Sequence, residues 1–225
     1  MGALFVTSTG TGIGKTFVTA ALVKHLRAQG RAVDAFKPVL SGFDPGNAED
    51  SDTGALLDAL GRKPIQEEFD RISPWRFSAP LSPDMAAARE DRHIDFHALV
   101  DFSKAAMQSA ETVLIEGVGG IMVPLDDRHT VLDWMRALDV PVILVAGSYL
   151  GTISHTLSAL DVLKHHHRDV RAIIVSESEE SPVGLDETVA SIARFATDVD
   201  VIALPRLDES HNHPAIARIA AAAKI

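Results

Sequence analysis

The chain contains no cysteine, and that absence alone excludes disulfides, thiolate nucleophiles and thiolate metal sites. It says little about compartment. Also missing is any apolar run near the ~18 residues that a membrane span requires, and no basic-then-apolar leader precedes the first apolar segment. These absences predict a soluble, cytoplasmic protein. No stretch is dense in lysine or arginine, and 31 acidic residues against 21 basic ones leave a net charge of −10. That balance argues against a nucleic-acid partner, so a bound nucleotide is expected as a substrate rather than as a polymer to be gripped. No repeat, low-complexity linker or composition break divides the 225 residues, and 46% hydrophobic content suffices for a core within one domain, residues 1–225.

What is present is concentrated near the amino end. The apolar run Ala3-Leu-Phe-Val6 reads as a buried strand, and Phe17-Val-Thr-Ala-Ala-Leu-Val-Lys-His-Leu26 repeats its apolar residues at helical spacing. Between them lies Thr7-Ser-Thr-Gly-Thr-Gly-Ile-Gly-Lys-Thr16. Strand, glycine-rich turn and Gly-Lys-Thr opening a helix form the context of a phosphate-binding loop, although Thr9 stands where the usual spacing has glycine. Glycines let successive backbone N–H groups curl around an anion, and the helix start adds unpaired donors and a positive dipole end. In such a loop Lys15 reaches the β- and γ-phosphates and the Thr16 hydroxyl ligates Mg²⁺.

Downstream, strand-length apolar runs alternate with amphipathic helical segments. The pattern predicts an α/β fold of three layers, a mostly parallel sheet with helices on both faces. Strands are expected at 3–8, 32–37, 111–116, 141–147, 170–176 and 199–204. Helices are expected at 14–29, 52–60, 83–90, 94–109, 130–138, 152–166, 184–196 and 212–223. The longest departure from alternation, 38–82, is rich in Gly, Pro, Asp and Ser, as functional loop regions are.

Ligands in such sheets sit beyond the carboxyl ends of the strands, which turns strand-end residues into a shortlist. Glu116 closes an apolar strand and is either a Mg²⁺ ligand or a cap on the Gly-Gly turn that follows. Asp52, just after Ser51, is either functional or an N-cap. Lys37 ends a buried strand, where an ammonium must snorkel, pair or face a phosphate. His165-His166-His167 fan around a helix and cannot converge on one ion, and Glu49-Asp50 and Glu177, Glu179 and Glu180 read as solvated loop charge.

Taken in order, Thr9-Gly-Thr-Gly-Ile-Gly-Lys-Thr16, Lys37-Pro38-Val39-x-Ser41-Gly42, Asp52, Ser82-Pro83, Glu116-Gly-Val-Gly-Gly120, Asp133-Trp134 and Leu150-Gly-Thr-Ile-Ser-His155 resemble the dethiobiotin synthase family over nearly the whole chain. The resemblance implies a seven-stranded, mostly parallel sheet of the phosphate-loop NTPase type, and homodimers with active sites at the subunit interface. It implies an ATP- and Mg²⁺-dependent ligase that converts 7,8-diaminononanoate, CO₂ and ATP to dethiobiotin, ADP and phosphate.

The resemblance also implies roles. Gly12, Ile13, Gly14, Lys15, Thr16 and Phe17 would hold the nucleotide, with Gly117, Val118 and Gly119 alongside. Ser176, Glu177, Pro205, Arg206 and Leu207 would form its base side. Lys15 and Lys37 would bracket the migrating phosphoryl group, and Thr11 and Ser41 would hydrogen-bond the phosphate and carbamate region. Thr16, Asp52 and Glu116 would hold Mg²⁺. Gly151, Thr152, Ile153 and Ser154, from the partner subunit, would receive the substrate's remote carboxylate.

This chain departs from the family at Ser8, where glycine is usual, at Gly10, where aspartate is common, and at Ser176, where an asparagine often reads the base. Serine makes fewer of the hydrogen bonds that an amide offers to an adenine edge. ATP is therefore expected to outperform CTP and GTP by less than about a thousandfold in kcat/KM.

Two other functions share the loop. Cobyrinate-type amide ligases carry a glutaminase domain with a catalytic cysteine, and this chain has neither the length nor the thiol, which leaves a free-standing relative of their amide-forming domain as the alternative. Partition and septum-placing ATPases carry an additional loop lysine near position 10, where Gly10 stands. They also use basic or amphipathic tails. The amphipathic segment Ala215–Lys224 has only two cations, which favours packing into the core over binding a membrane.

Overall fold

The computed structural model describes residues 2–179, 181–206 and 213–225. Its centre is a sheet of six strands: β1 (Gly2–Ser8), β2 (Val33–Phe36), β5 (Thr112–Glu116), β6 (Val142–Gly147), β7 (Val170–Ser176) and β8 (Asp200–Leu204). They lie in the order β2-β5-β1-β6-β7-β8, every neighbour pair parallel. A separate parallel pair, β3 (Val39–Ser41) with β4 (Trp75–Phe77), stands beside it. Among the described residues the main sheet therefore has six strands, not the seven that the resemblance implies.

Alternation along the strands splits the core in two. In β1, Phe5 faces one layer while Leu4 and Val6 face the other; in β6, Val142 and Leu144 oppose Ile143 and Val145. Buried on both faces, these strands read as unbroken apolar runs. One layer contains α5 (Phe96–Ala106), α6 (Val131–Leu138), α7 (Thr152–His165) and α8 (Leu185–Ala193). There Phe5 meets the Trp134 ring edge-on at 4.9 Å, and the indole N–H donates to the buried Ser103 hydroxyl at 3.1 Å. The opposite layer contains α1 (Lys15–Ala28), α2 (Asp52–Leu60) and α9 (Pro214–Ala223). The amphipathic carboxyl-terminal segment is thus a core helix, with Ile216 and Ile219 fully buried.

The six strands expected from the sequence are all present, with bounds within about two residues. What the sequence hides lies in 38–82. A 3₁₀ turn (Pro45–Asp50), α3 (Gln66–Ile72), β3 and β4 are folded there, and α4 (Pro83–Ala88) follows. Three-residue strands are too short to show a period, and in α3 only Phe69 and Ile72 are buried.

This region is pressed hard against α2. A Cβ on Gly54 would stand 2.1 Å from the Glu49 carbonyl oxygen, so the 3₁₀ turn and the first turn of α2 touch through a bare glycine. Gly54→Ala should displace that turn and destabilise the protein by about 1–3 kcal/mol, although alanine is the better helix former. Urea denaturation checks this. An unchanged or raised midpoint would show that the contact yields without cost.

Candidate active site

The loop from Thr9 to Gly14 leaves the end of β1 and enters α1 through Gly14, whose φ of 95° is left-handed. That conformation favours glycine, and a Cβ there would also press on the Ser176 hydroxyl at 2.8 Å. The first-turn N–H groups of a helix lack intrahelical partners, and the first turn of α1 has no acidic residue to offset its positive end.

Strand order brings the remaining groups to this loop. β5 lies between β1 and β2, with Val6 opposite Glu116 and Phe36 opposite Ile115, so Lys37 and Glu116 emerge side by side at the strand ends. Lys37 Nζ lies 2.6 Å from Glu116 Oε1 and 2.8 Å from Asp52 Oδ2, with Lys37 and Glu116 both buried. The Thr16 hydroxyl donates to the same Glu116 oxygen at 2.7 Å. Asp52 opens α2 but does not cap it. The cap is Ser51, whose Oγ accepts from the Gly54 N–H at 3.1 Å. Glu116 likewise pairs with Lys37 and Thr16 rather than capping the turn after it.

Burial opposes the charge on Lys37, yet Glu116 and Asp52 hold its pKa above the ordinary lysine value. Burial also opposes ionisation of Asp52, but Lys37 and the Thr16 hydroxyl keep its carboxyl below the usual range. For Lys15 the balance is reversed. Burial and the neighbouring Lys37 ammonium push it down to about 8, against the pull of Glu116 and Asp52.

A cleft of about 610 Å³ opens over these groups. It is lined by Thr11, Gly12, Ile13, Gly14, Lys15 and Thr16 from the loop, Lys37, Ser41 and Asp52 opposite, and Val118 and Gly119 behind. The Gly117 carbonyl lies 3.5 Å from Lys37 Nζ. The hydroxyls of Ser41 and Ser82 are buried with no hydrogen-bond partner among the described residues, as is Glu116 Oε2. Ser82 was not among the candidate site residues. Its sequence signal was only the Ser82-Pro83 pair, and an isolated serine carries no period or spacing to mark it.

An adjoining hollow of about 430 Å³ on the other side of the loop collects Gly12, Ile13, Gly14, Phe17, Ser176, Glu177, Pro205 and Arg206. There Glu177 Oε2 accepts from the Arg206 backbone N–H at 2.8 Å. Leu207 lies outside the described residues. None of Gly151, Thr152, Ile153 and Ser154 lines either hollow. They start α7, where the Thr152 hydroxyl donates to the Gly147 carbonyl at 2.7 Å and Ile153 and Ser154 are exposed. The three histidines at the end of α7 do not converge, His167 already having a left-handed φ of 56°. Among the described residues no three His, Cys, Asp or Glu cluster for a metal, so an ion at Thr16, Asp52 and Glu116 would complete its shell with water or ligand oxygens.

The position of Lys15 has a measurable consequence. A phosphate chain on Lys15 favours the ammonium, so binding must raise a pKa that stands at about 8 in the free protein. Below pH 8 the lysine is charged before and after binding, and affinity is level. Above it, ADP binding should take up close to one proton and weaken by up to about tenfold per pH unit. Calorimetry at pH 8.5 in two buffers of unlike ionisation enthalpy measures that uptake; a value near zero would take Lys15 off the phosphates.

The sequence pattern of one family, described as an AAA domain, matches residues 2–214. The ATP-dependent dethiobiotin synthetase of Methylobacterium nodulans is 48% identical over 202 residues, covering 87% of this chain and 90% of that protein. Those of Acidiphilium cryptum (47% over 196 residues, 86% and 88% covered) and Phenylobacterium zucineum (47% over 210 residues, 92% and 89% covered) are comparably similar. Among solved structures, the MinC:MinD cell division complex of Aquifex aeolicus matches with a TM-score of 0.58 at 12% identity, covering 100% of this chain and 95% of that one. MinD alone from the same organism gives 0.54 at 15% identity, covering 100% and 96%. At such identities these structures show a shared fold alone. Nearly half of the residues held in common over almost the full length shows more: the chain belongs to the dethiobiotin synthetase family.

Proposed function

We propose that this chain is an ATP-dependent dethiobiotin synthase, joining 7,8-diaminononanoate and CO₂ into the cyclic urea of dethiobiotin with release of ADP and phosphate. One observation carries the reading. Two lysines and two carboxylates meet between a phosphate loop and a cleft bearing two unpartnered serine hydroxyls.

The chemistry needs no side-chain nucleophile. One substrate amine adds to CO₂ and loses a proton, leaving a carbamate. A carbamate oxygen attacks the γ-phosphorus of ATP, and ADP departs as the P–O bond to it breaks. The second amine then attacks the carbamoyl carbon of the mixed anhydride. Phosphate leaves with the C–O bonding pair, the amine loses its proton and the ring closes. The protein contributes alignment and charge neutralisation. Lys15 and Lys37 bracket the transferred group, while Thr11 and Ser41 hold the carbamate against it.

Mg²⁺ fits Thr16, Asp52 and Glu116, because this donor set is all oxygen and Glu116 Oε2 is buried without a partner among the described residues. When bound it would neutralise charge on the β- and γ-phosphate oxygens. In the free protein Asp52 and Glu116 hold Lys37. With Mg²⁺ held by Asp52 and Glu116, the Lys37 ammonium would be available to a phosphate oxygen.

The assembly is read as a homodimer. Leu150 (82% exposed) and Ile153 (38% exposed) stand bare at the start of α7, and Met122 (55% exposed) borders a groove shared with His155 and Ser158 of α7. A second copy covering this face would bring its Gly151–Ser154 segment to the cleft and its carboxylate site to the substrate. Sedimentation of the purified protein as a monomer at micromolar concentration would exclude a shared site.

Purified protein mixed with ATP, Mg²⁺, bicarbonate and 7,8-diaminononanoate should yield the cyclic urea by mass spectrometry; its absence overturns the reading. Lys37→Ala should lower kcat by about 10²–10³-fold with nucleotide affinity retained, because its charge acts mainly on the transition state. A change in KM alone would make Lys37 a binding residue.

A further inference from the structure

We propose that Ser8 is a positioning residue for Lys15, pinning its ammonium at the base of the phosphate loop in register with the phosphoryl group. The role in turnover rests on the synthase reading above; the pinning itself does not. Ser8 is the last residue of β1 and is fully buried. Its Oγ lies 2.8 Å from Lys15 Nζ, 2.6 Å from the Gly10 carbonyl oxygen and 2.8 Å from that of Gly119. Lys15 has only donors, so the hydroxyl must accept from it, and the single hydroxyl proton goes to Gly10 or Gly119.

Lys15 Nζ also donates to the Gly10 carbonyl at 3.1 Å. An ammonium has three N–H donors, and these two contacts leave one for a ligand oxygen. A lysine on a flexible four-carbon stem otherwise surrenders much rotamer freedom when it grips a phosphate. Here the protein has already removed that freedom before the nucleotide arrives.

The same hydroxyl links two segments that must stay aligned. Gly10 belongs to the phosphate loop, and Gly119 follows Glu116 in the segment that carries the acid. The two run close elsewhere too, since a Cβ on Gly120 would lie 3.3 Å from the Thr9 carbonyl. A glycine at position 8, the residue noted above as usual there, offers no such junction. In this chain the hydroxyl sets where Lys15 stands relative to Glu116.

The variants are Ser8→Ala and Ser8→Gly, which remove the hydroxyl without adding bulk. Two measurements decide the matter. In the first, an amine-selective acylating reagent is applied without substrates, and modification of Lys15 is followed by peptide mass spectrometry. Loss of a charge-assisted hydrogen bond should speed modification about tenfold. In the second, kcat should fall about tenfold while KM for ATP moves less than about twofold and the melting midpoint stays near that of the wild type.

Unchanged modification of Lys15 overturns the proposal, as does a kcat retained within about twofold in an active wild-type background. A loss of rate explained entirely by loss of folded protein does the same, because it leaves Ser8 as a structural tie. Wild-type protein that forms no cyclic urea defeats the synthase reading instead, and the labelling measurement then decides the pinning by itself.

Discussion

The buried ammonium of Lys37, clasped between Glu116 and Asp52, is the constraint on which the site depends. Taking an ion pair out of water costs several kcal/mol per charge before attraction returns it, and removing one partner strands the other. Lys37 and Glu116 are both inside, so the strands that deliver them must be neighbours in the right register, and β2 and β5 are. Asp52 must arrive from outside the sheet, which fixes the start of α2 and the 3₁₀ turn packed on Gly54. A single charged triad therefore ties together three pieces of chain far apart in sequence.

The charges within the site also balance. Lys15 and Lys37 face Asp52 and Glu116, two cations against two anions. The sharing is unequal. Lys37 holds both acids closely and keeps its proton firmly, whereas Lys15 is left with carbonyl and hydroxyl oxygens and a depressed pKa. A polyphosphate favours exactly the charge on Lys15 that burial opposes.

The fold does not choose the chemistry. The MinD cell division protein shares this fold at low identity. The strand ends carry the chemistry, and the cleft beside the phosphate loop is walled by Leu40, Pro80, Leu81 and Pro83. Ser41 and Ser82 add buried hydroxyls to that largely apolar lining.

The sequence by itself determined the strand–loop–helix unit at residues 2–28, the alternation that makes a parallel sheet, and a shortlist of strand-end residues, because backbone periodicity and glycine chemistry are local properties. Strand order, the short elements within 38–82 and the identity of the α2 cap were not legible, since three-residue strands have no period and adjacent Ser51 and Asp52 cap equally well on paper. Only the tertiary structure decided those points, by setting β5 between β1 and β2 and so bringing Lys37, Asp52 and Thr16 to one buried carboxylate: charge pairing depends on distance through space, which no spacing along the chain records.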